Sequence, residues 1–179
     1  MTRRWSRQAL ARLAFVLLIA ASVTPLIVQS LRSDTGPFIE IVDSSGVVRT
    51  ISLSAMKTMA VLTHEGSYQN QYGNWRDEGD YSGVLLIDLL GNVSYGTIDV
   101  VADDGYRVTI DRSRVEDVDY PMILAYRMDD AEVPDWTDGF RIAVLPEDGG
   151  VSNADYGVES AGGYWVKRVV QLILIPKVR

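Results

Sequence analysis

The chain contains no cysteine and a single histidine, His64, among its 179 residues. Without cysteine it cannot form a disulfide, a thiolate metal site or a cysteine nucleophile. A single histidine excludes a histidine-rich metal centre, and the Gly-x-Ser-x-Gly motif of serine hydrolases is also absent. These absences exclude several common enzyme classes.

Basic residues are scarce relative to acidic ones. The formal net charge is −7, and the isoelectric point is about 4.7. Nucleic-acid binding requires a basic face that neutralises phosphates, so we expect no nucleic-acid partner. An acidic surface of this kind ordinarily keeps a protein soluble. With 47% hydrophobic residues, the chain is long enough to fold one domain around a real core.

The first thirty positions contain no acidic residue. Residues 13–28 form an apolar run that continues to Leu31, and four arginines precede it: Arg3, Arg4, Arg7 and Arg12. A basic flank stays in the cytoplasm, which predicts that the rest of the chain lies on the extracytoplasmic side of a membrane. The run is long for a signal core and slightly short for a spanning helix of about 20 residues. We expect residues 1–31 to be an uncleaved membrane anchor, with a cleaved signal segment as the alternative.

Residues 32–37 form a polar linker that ends in Gly36-Pro37, and residues 38–179 form the predicted domain. Many short alternating segments and few helices predict a β-rich α+β fold. We predict a hairpin over residues 38–51 and another over 97–110, and strands over 121–128, 140–145 and 165–175. Residues 61–72 begin as a strand, and 73–80 are expected to be a polar loop. Short helices are predicted over 55–60, capped by Ser52 or Ser54, and over 85–90. The nearly continuous aliphatics of 165–175 predict a strand buried on both faces.

One stretch carries a family resemblance. Residues 81–90 read Tyr-Ser-Gly-Val-Leu-Leu-Ile-Asp-Leu-Leu, which predicts a glycine turn and a short helix, and residues 98–108 form a hairpin with an Asp-Gly turn. This resembles the molybdopterin-binding domain of the sulfite oxidase family, in which Y-x-G-V-x-L-x-D-L-L precedes V-x-x-x-D-G-Y. Similar pieces recur in the same order at residues 123–126, 139–146 and 165–169. The resemblance implies a sulfite oxidase molybdopterin-binding-type fold over residues 38–175.

By the same resemblance, the activity would be that of a molybdopterin-dependent oxidoreductase. Catalytic family members hold molybdenum through a cysteine in a loop shortly before the Y-x-G-V element. The nearest equivalent in this chain is His64-Glu65-Gly66-Ser67, so His64 stands opposite the missing thiolate. Imidazole is a poorer ligand than thiolate for oxidised molybdenum, and we therefore do not expect molybdenum to be bound. His64 is either part of a ligand site or an ordinary strand residue.

The resemblance also implies cations that bind the pterin phosphate. Arg141 lies in a strand where the family commonly has arginine, and Lys167 matches the lysine that follows the family's terminal tryptophan, here Trp165. The alternatives are an outward-facing strand residue for Arg141 and a solvated strand edge for Lys167. Three acidic clusters, at residues 77–80, 103–105 and 129–130, lack the spacing of a calcium loop and are better explained as turns.

Aromatic side chains concentrate beside the His64 segment, at Tyr68, Tyr72 and Trp75. They either line a ligand cleft or cover the edges of the β core. We expect residues 64–75 to face Trp165 and Lys167 across one cleft. The candidate cofactor-binding residues are therefore His64, Trp75, Arg141 and Lys167.

Two functions remain open at this point. The first is a divergent binder of a cofactor or of a small anionic, pterin-like ligand, tethered to the membrane by its N-terminal helix. The second is a cofactor-free module that binds a small ligand or a membrane-protein partner.

Overall fold

A computed structural model describes residues 36–177, so the expected anchor over residues 1–31 lies outside the described residues. The described chain contains two β-sheets and four short helical turns, as expected for a β-rich fold with few helices. No helix within residues 36–177 is both long enough and apolar enough to cross a membrane.

The first sheet joins the two ends of the described chain. Its five strands are β1 (Phe38–Val42), β2 (Val48–Ser52), β5 (Thr97–Ala102), β6 (Arg107–Asp111) and β11 (Val169–Ile175). Their order is β2-β1-β11-β5-β6, in which only β1 and β11 are parallel neighbours. Gln171 lies opposite Glu40 in this parallel pair and donates a 2.9 Å side-chain hydrogen bond to it. Both predicted hairpins are present in this sheet.

The second sheet carries most of the candidate functional residues. Its six strands are β3 (Val61–Gln69), β4 (Trp75–Leu85), β7 (Met122–Met128), β8 (Ala131–Glu132), β9 (Arg141–Val144) and β10 (Gly150–Val151). The order is β10-β3-β4-β7-β8, and β9 also pairs with β7. Strands β3 and β4 form a long antiparallel hairpin in which His64 lies opposite Tyr81.

The short helices are α1 (Leu53–Met56), α2 (Leu86–Leu90), α3 (Arg112–Val115) and a 3₁₀ turn over Ala161–Tyr164. The prediction for residues 85–90 agrees with α2, but the helix predicted over residues 55–60 is a single turn that begins earlier. Ser52 caps it by accepting a hydrogen bond from the Ala55 amide. Thr58 then donates its hydroxyl to the Ala55 carbonyl, a local bond that competes with helix continuation.

The predicted polar loop over residues 73–80 was wrong from Trp75 onward, because residues 75–80 form the first half of β4. Most side chains from Trp75 to Asp80 are exposed, so no hydrophobic alternation marks the strand. The predicted glycine turn at Gly83 is also β4 strand. A Cβ at Gly83 would collide with the carbonyl of Leu124 on the neighbouring β7, so the glycine permits a close approach of two backbones.

The terminal strand was predicted too long and too buried. It begins at Val169 rather than Trp165, and its burial alternates. Leu172 and Leu174 are buried in the core, whereas Val170 is 42% exposed. One face of β11 therefore contacts the core, and the segment from Trp165 to Arg168 precedes the strand.

Candidate functional site

Arg141 is the central residue of the candidate site. It lies on β9, its exposed fraction is 0%, and the alternative of an outward-facing strand residue is wrong. Its Nη1 lies 2.8 Å from Asp138 Oδ2 and its Nη2 lies 2.5 Å from Asp77 Oδ2. A fully buried guanidinium requires such partners, because an unpaired charge in a protein interior is very costly.

Lys167 completes a charge cluster, by which we mean Asp77, Asp138, Arg141 and Lys167. Its Nζ lies 3.1 Å from Asp77 Oδ2 and 3.0 Å from Asp138 Oδ2. The Lys167 side chain is 44% exposed, so the cluster extends from a buried guanidinium to an ammonium group in contact with solvent. Two cations face two carboxylates, and the cluster as a whole carries no net charge.

Asp77 is held in place by its backbone and by two tyrosines. Its φ of 52° lies in the left-handed region, which is uncommon for a residue other than glycine. Tyr81 donates its hydroxyl to the Asp77 carbonyl at 2.6 Å, and Tyr68 donates to Asp77 Oδ2 at 3.3 Å. Non-glycine residues persist in this conformation where their surroundings determine it, as the two tyrosines and two cations do here.

Aromatic rings surround the Arg141 guanidinium. Its Cζ lies 5.3 Å from the centroid of Trp165, 5.6 Å from that of Tyr81 and 5.9 Å from that of Tyr68, within the range of cation–π attraction. Trp165 itself packs 5.1 Å from Tyr68 and 5.2 Å from Tyr81, measured between ring centroids. Residues 64–75 were expected to face Trp165 and Lys167 across one cleft. Tyr68 does pack against Trp165, and its hydroxyl binds Asp77, which also pairs with Lys167, but His64 and Trp75 line other grooves.

Gly66 makes this aromatic packing possible. A Cβ at this position would lie 2.6 Å from Leu145 Cδ2 and 2.9 Å from Trp165 Cη2. No side chain fits there unless the tryptophan moves. The glycine on β3 thus allows the Trp165 ring to lie against the strand.

The charges and the burial of the cluster shift its proton equilibria. Burial raises the pKa of Asp77, but hydrogen bonding to Arg141 and the charge of Arg141 outweigh it and hold the pKa below its ordinary value of 3.8. Burial lowers the pKa of Lys167, but hydrogen bonding to Asp138 and Asp77 leaves it above 10.5. Burial raises the pKa of Tyr81 far above 10. Both shifts favour the charged forms of Asp77 and Lys167 at neutral pH.

His64 lies apart from the cluster, in a groove of about 730 Å³. Its lining combines apolar residues with three exposed acidic ones, Asp119, Glu147 and Asp148, which we call the acidic rim, and it includes neither Arg141 nor Lys167. His64 Nδ1 lies 2.9 Å from the carbonyl oxygen of Glu65. Because a carbonyl can only accept, Nδ1 carries the proton in this bond, and Nε2 is left for other partners.

Trp75 lies apart from both the charge cluster and the groove beside His64. Its indole lies over Gly150, where a Cβ would be 3.0 Å from Trp75 Cη2, and its side chain is 49% exposed. It lines a second groove of about 420 Å³ together with four acidic residues: Glu65, Glu78, Asp148 and Asp155. The structure therefore brings Arg141 and Lys167 together and leaves His64 and Trp75 at other places on the second sheet.

Sequence reasoning missed the two carboxylates of the cluster. Asp138 is three residues before Arg141. In a loop that leads into a strand, this spacing does not by itself predict an ion pair. Asp77 is 64 residues away from Arg141 and belonged to a segment interpreted as a loop. Within the described part of the chain, no group of three or more His, Asp and Glu side chains could hold a metal ion.

No protein-family model matches the chain, and no curated protein matches its sequence. The fold is similar to that of the sulfane dehydrogenase SoxCD from Paracoccus pantotrophus, with a TM-score of 0.55 and 13% sequence identity. The match covers 78% of this chain but only 38% of that chain. SoxCD is a sulfite oxidase-like molybdopterin enzyme, so the resemblance drawn from the sequence motifs is supported as a distant similarity of fold.

The residues present do not fit the molybdopterin that this fold family implies. No cysteine can supply the thiolate, and His64, which the motif resemblance implies at its position, offers an imidazole instead of a soft anionic ligand. Arg141 and Lys167, the cations suggested for the phosphate, are already neutralised by Asp77 and Asp138. The chain therefore lacks both the thiolate ligand and the unpaired positive charge that molybdopterin would need.

Proposed function

We propose that this protein is a binding domain that uses a sulfite oxidase-type fold without molybdopterin. The observation that carries the proposal is the neutral charge cluster. A phosphate-binding site needs uncompensated positive charge, and here each cation lies within 3.1 Å of a carboxylate. Of the two functions left open by the sequence, this supports the cofactor-free module.

Electrostatic magnitudes support the same choice. A phosphate that reached Arg141 would lie beside the carboxylates of Asp77 and Asp138. Two like charges about 4 Å apart repel by roughly 4 kcal/mol at an effective dielectric constant of about 20. Protonating Asp77 to relieve this repulsion is unfavourable at neutral pH, because its pKa is held below 3.8. The charge cluster therefore acts as a structural unit that orders Tyr68, Tyr81 and Trp165 around Arg141.

The groove beside His64 adds a second argument. Its rim consists of carboxylates at Asp119, Glu147 and Asp148. An anionic, pterin-like ligand would be repelled there, whereas a neutral or cationic one would not. This argues against the divergent cofactor binder at the position where the family resemblance implies the missing thiolate.

The proposal also includes a place in the cell. Four arginines before an apolar run support a domain tethered on the extracytoplasmic side of a membrane. Fusions of alkaline phosphatase and of green fluorescent protein to a position after residue 31 test it. We expect phosphatase activity without fluorescence, and fluorescence without phosphatase activity would refute the topology.

Metal analysis tests the cofactor-free function directly. The full chain and a His64→Cys variant are purified from a molybdenum-replete host, and molybdenum and released pterin are measured. We expect both proteins to carry well under one molybdenum per chain, because the variant restores a thiolate but leaves the cations neutralised. Stoichiometric molybdenum with pterin fluorescence in either protein would overturn the proposal.

A further inference from the structure

One edge of β3 has no strand partner over most of its length. Pairing with β10 begins only at Ser67, which lies opposite Gly150. From Val61 to Glu65, no described residue pairs with β3 on the side that faces away from β4. The outward backbone N–H and C=O groups of this stretch form an open template for another extended chain.

The groove described above lies beside this open edge. Leu62 and His64, two residues apart on β3, form one side of it, as side chains on one face of a strand do. Pro121 and Leu145 also line the groove, and the Leu145 amide donates a 2.9 Å hydrogen bond to the Pro121 carbonyl. An extended chain lying here would place alternate side chains in the groove while its backbone faces β3.

The acidic rim of the groove forms no salt bridge within residues 36–177. Asp119, Glu147 and Asp148 are exposed, and no lysine or arginine within residues 36–177 forms a salt bridge with them. Six of the 17 basic side chains but only one of the 24 acidic ones lie outside residues 36–177, so the described domain carries 11 basic and 23 acidic side chains. The rim thus favours a cationic occupant.

We infer that this groove binds an extended, basic segment of a partner protein, which adds to β3 as an additional strand. The inference rests on the proposed binding function and names its ligand class. Backbone hydrogen bonds to the edge between Val61 and Glu65 supply affinity, and the apolar groove accepts alternate side chains. Lysine or arginine side chains of the segment pair with the acidic rim, and His64 Nε2 is available to accept a hydrogen bond.

The charges also argue against a second copy of this chain as the occupant. Pairing two β3 edges would add the acidic groove of a second copy to that of the first, and the groove lining holds no lysine or arginine to offset the added charge. Like charges placed opposite one another are destabilising in paired strands. A basic segment avoids this repulsion and gains from the same carboxylates.

Peptide binding to the purified full chain tests the inference. The probe is a fluorescein-labelled peptide of alternating valine and lysine, titrated by fluorescence anisotropy. Two control peptides separate the contributions: one with glutamate in place of lysine, and one with N-methylated backbone amides at alternate positions. We expect saturable binding by the valine-lysine peptide, weaker binding at high salt, and no detectable binding of the glutamate peptide. The methylated peptide should bind at least about tenfold more weakly, because it cannot make the strand hydrogen bonds.

Protein variants locate the site. The double change Glu147→Lys and Asp148→Lys should weaken binding at least about tenfold. Asp130→Lys is the matched control, because Asp130 is an exposed acid in the β7–β8 turn, which β4 and β7 separate from β3, and this change should have little effect. Circular dichroism and the thermal midpoint confirm that each variant is folded.

Three outcomes would overturn the inference: no binding up to about 1 mM peptide, equal binding of the methylated peptide, or equal weakening by Asp130→Lys. Concentration-dependent dimerisation abolished by the Glu147→Lys, Asp148→Lys change would assign the edge to a second copy instead. None of these results changes the molybdenum content that the proposed function predicts. Failure of the inference is thereby distinguished from failure of the proposed function.

Discussion

Replacing Asp77 with asparagine removes one charge from the cluster while preserving the shape of the side chain. Arg141 is 0% exposed, and its Nη2 lies 2.5 Å from Asp77. Removing one partner of a buried ion pair costs about 3–5 kcal/mol. Asp138 still pairs with Arg141 in the variant, and the Asp77 side chain is 27% exposed. We therefore expect Asp77→Asn to lower the free energy of unfolding by about 2–3 kcal/mol.

Asparagine is the informative replacement because of the backbone at this position. The φ of Asp77 is 52°, and asparagine tolerates the left-handed region better than most residues. Asp77→Ala would add about 1–2 kcal/mol of backbone strain to the electrostatic loss. Urea unfolding of the wild type and both variants separates the electrostatic loss from the backbone strain. The comparison requires that the slope of the unfolding free energy against urea concentration is the same in all three proteins.

Anion binding provides a second measurement on the same variant. The Asp77→Asn cluster has two cations and one carboxylate, so sulfate should bind to the variant and not to the wild type. At a sulfate concentration about ten times its Kd, the variant should gain roughly 1.4 kcal/mol, with sodium chloride of equal ionic strength as the control. A loss below about 0.5 kcal/mol on mutation, or equal stabilisation of both proteins by sulfate, would refute the role assigned to Asp77.

Three further results are expected. The lowered pKa of Asp77 stabilises the fold fully above about pH 4, and this contribution is lost as the pH falls through that pKa. The raised pKa of Lys167 stabilises the fold below about pH 10.5, and this contribution is lost as the pH rises further. Asp77→Asn should therefore reduce the loss of stability at acidic pH, measured as the free energy of unfolding against pH. Gly66→Ala should cost about 1–3 kcal/mol in urea unfolding, because its Cβ would overlap Leu145 and Trp165, whereas Gly163→Ala, where a Cβ meets no atom within 4 Å, should cost less than about 1 kcal/mol. Trp75→Ala should shift the thermal midpoint little, since the side chain is 49% exposed; a large shift would mean that its contact with Gly150 is a core contact.

Much of the fold could be predicted because its signals are local. In the β5–β6 hairpin, Gly105 has a φ of 86° and the Asp104 carboxylate accepts a hydrogen bond from the Tyr106 amide, the chemistry that an Asp-Gly pair predicts. Helix α2 follows from its spacing of leucines. In contrast, the first half of β4 has no buried face to produce alternation, so its sequence is indistinguishable from that of a polar loop.

The candidate site could be predicted only in part. Family resemblance selected Arg141 and Lys167, which do lie together, but it paired them with His64 and Trp75, which lie elsewhere. Strand β9 is buried at every position, so alternation could not indicate which way Arg141 points. Its surroundings are set by the fold, in which β9 pairs with β7 and the Arg141 Cζ lies 5.3 Å from the centroid of Trp165.

The sequence by itself determined which chemistry is available: without cysteine there is no thiolate, and with one histidine there is no imidazole cluster. It also determined the β-rich class, because strand alternation and turn residues act within a few positions of one another. Tertiary structure alone decided that Asp77 neutralises Arg141 across 64 residues, and that the edge of β3 lies open beside an acidic groove. Charge compensation and strand pairing depend on distances between segments remote in sequence, and only the folded chain sets those distances.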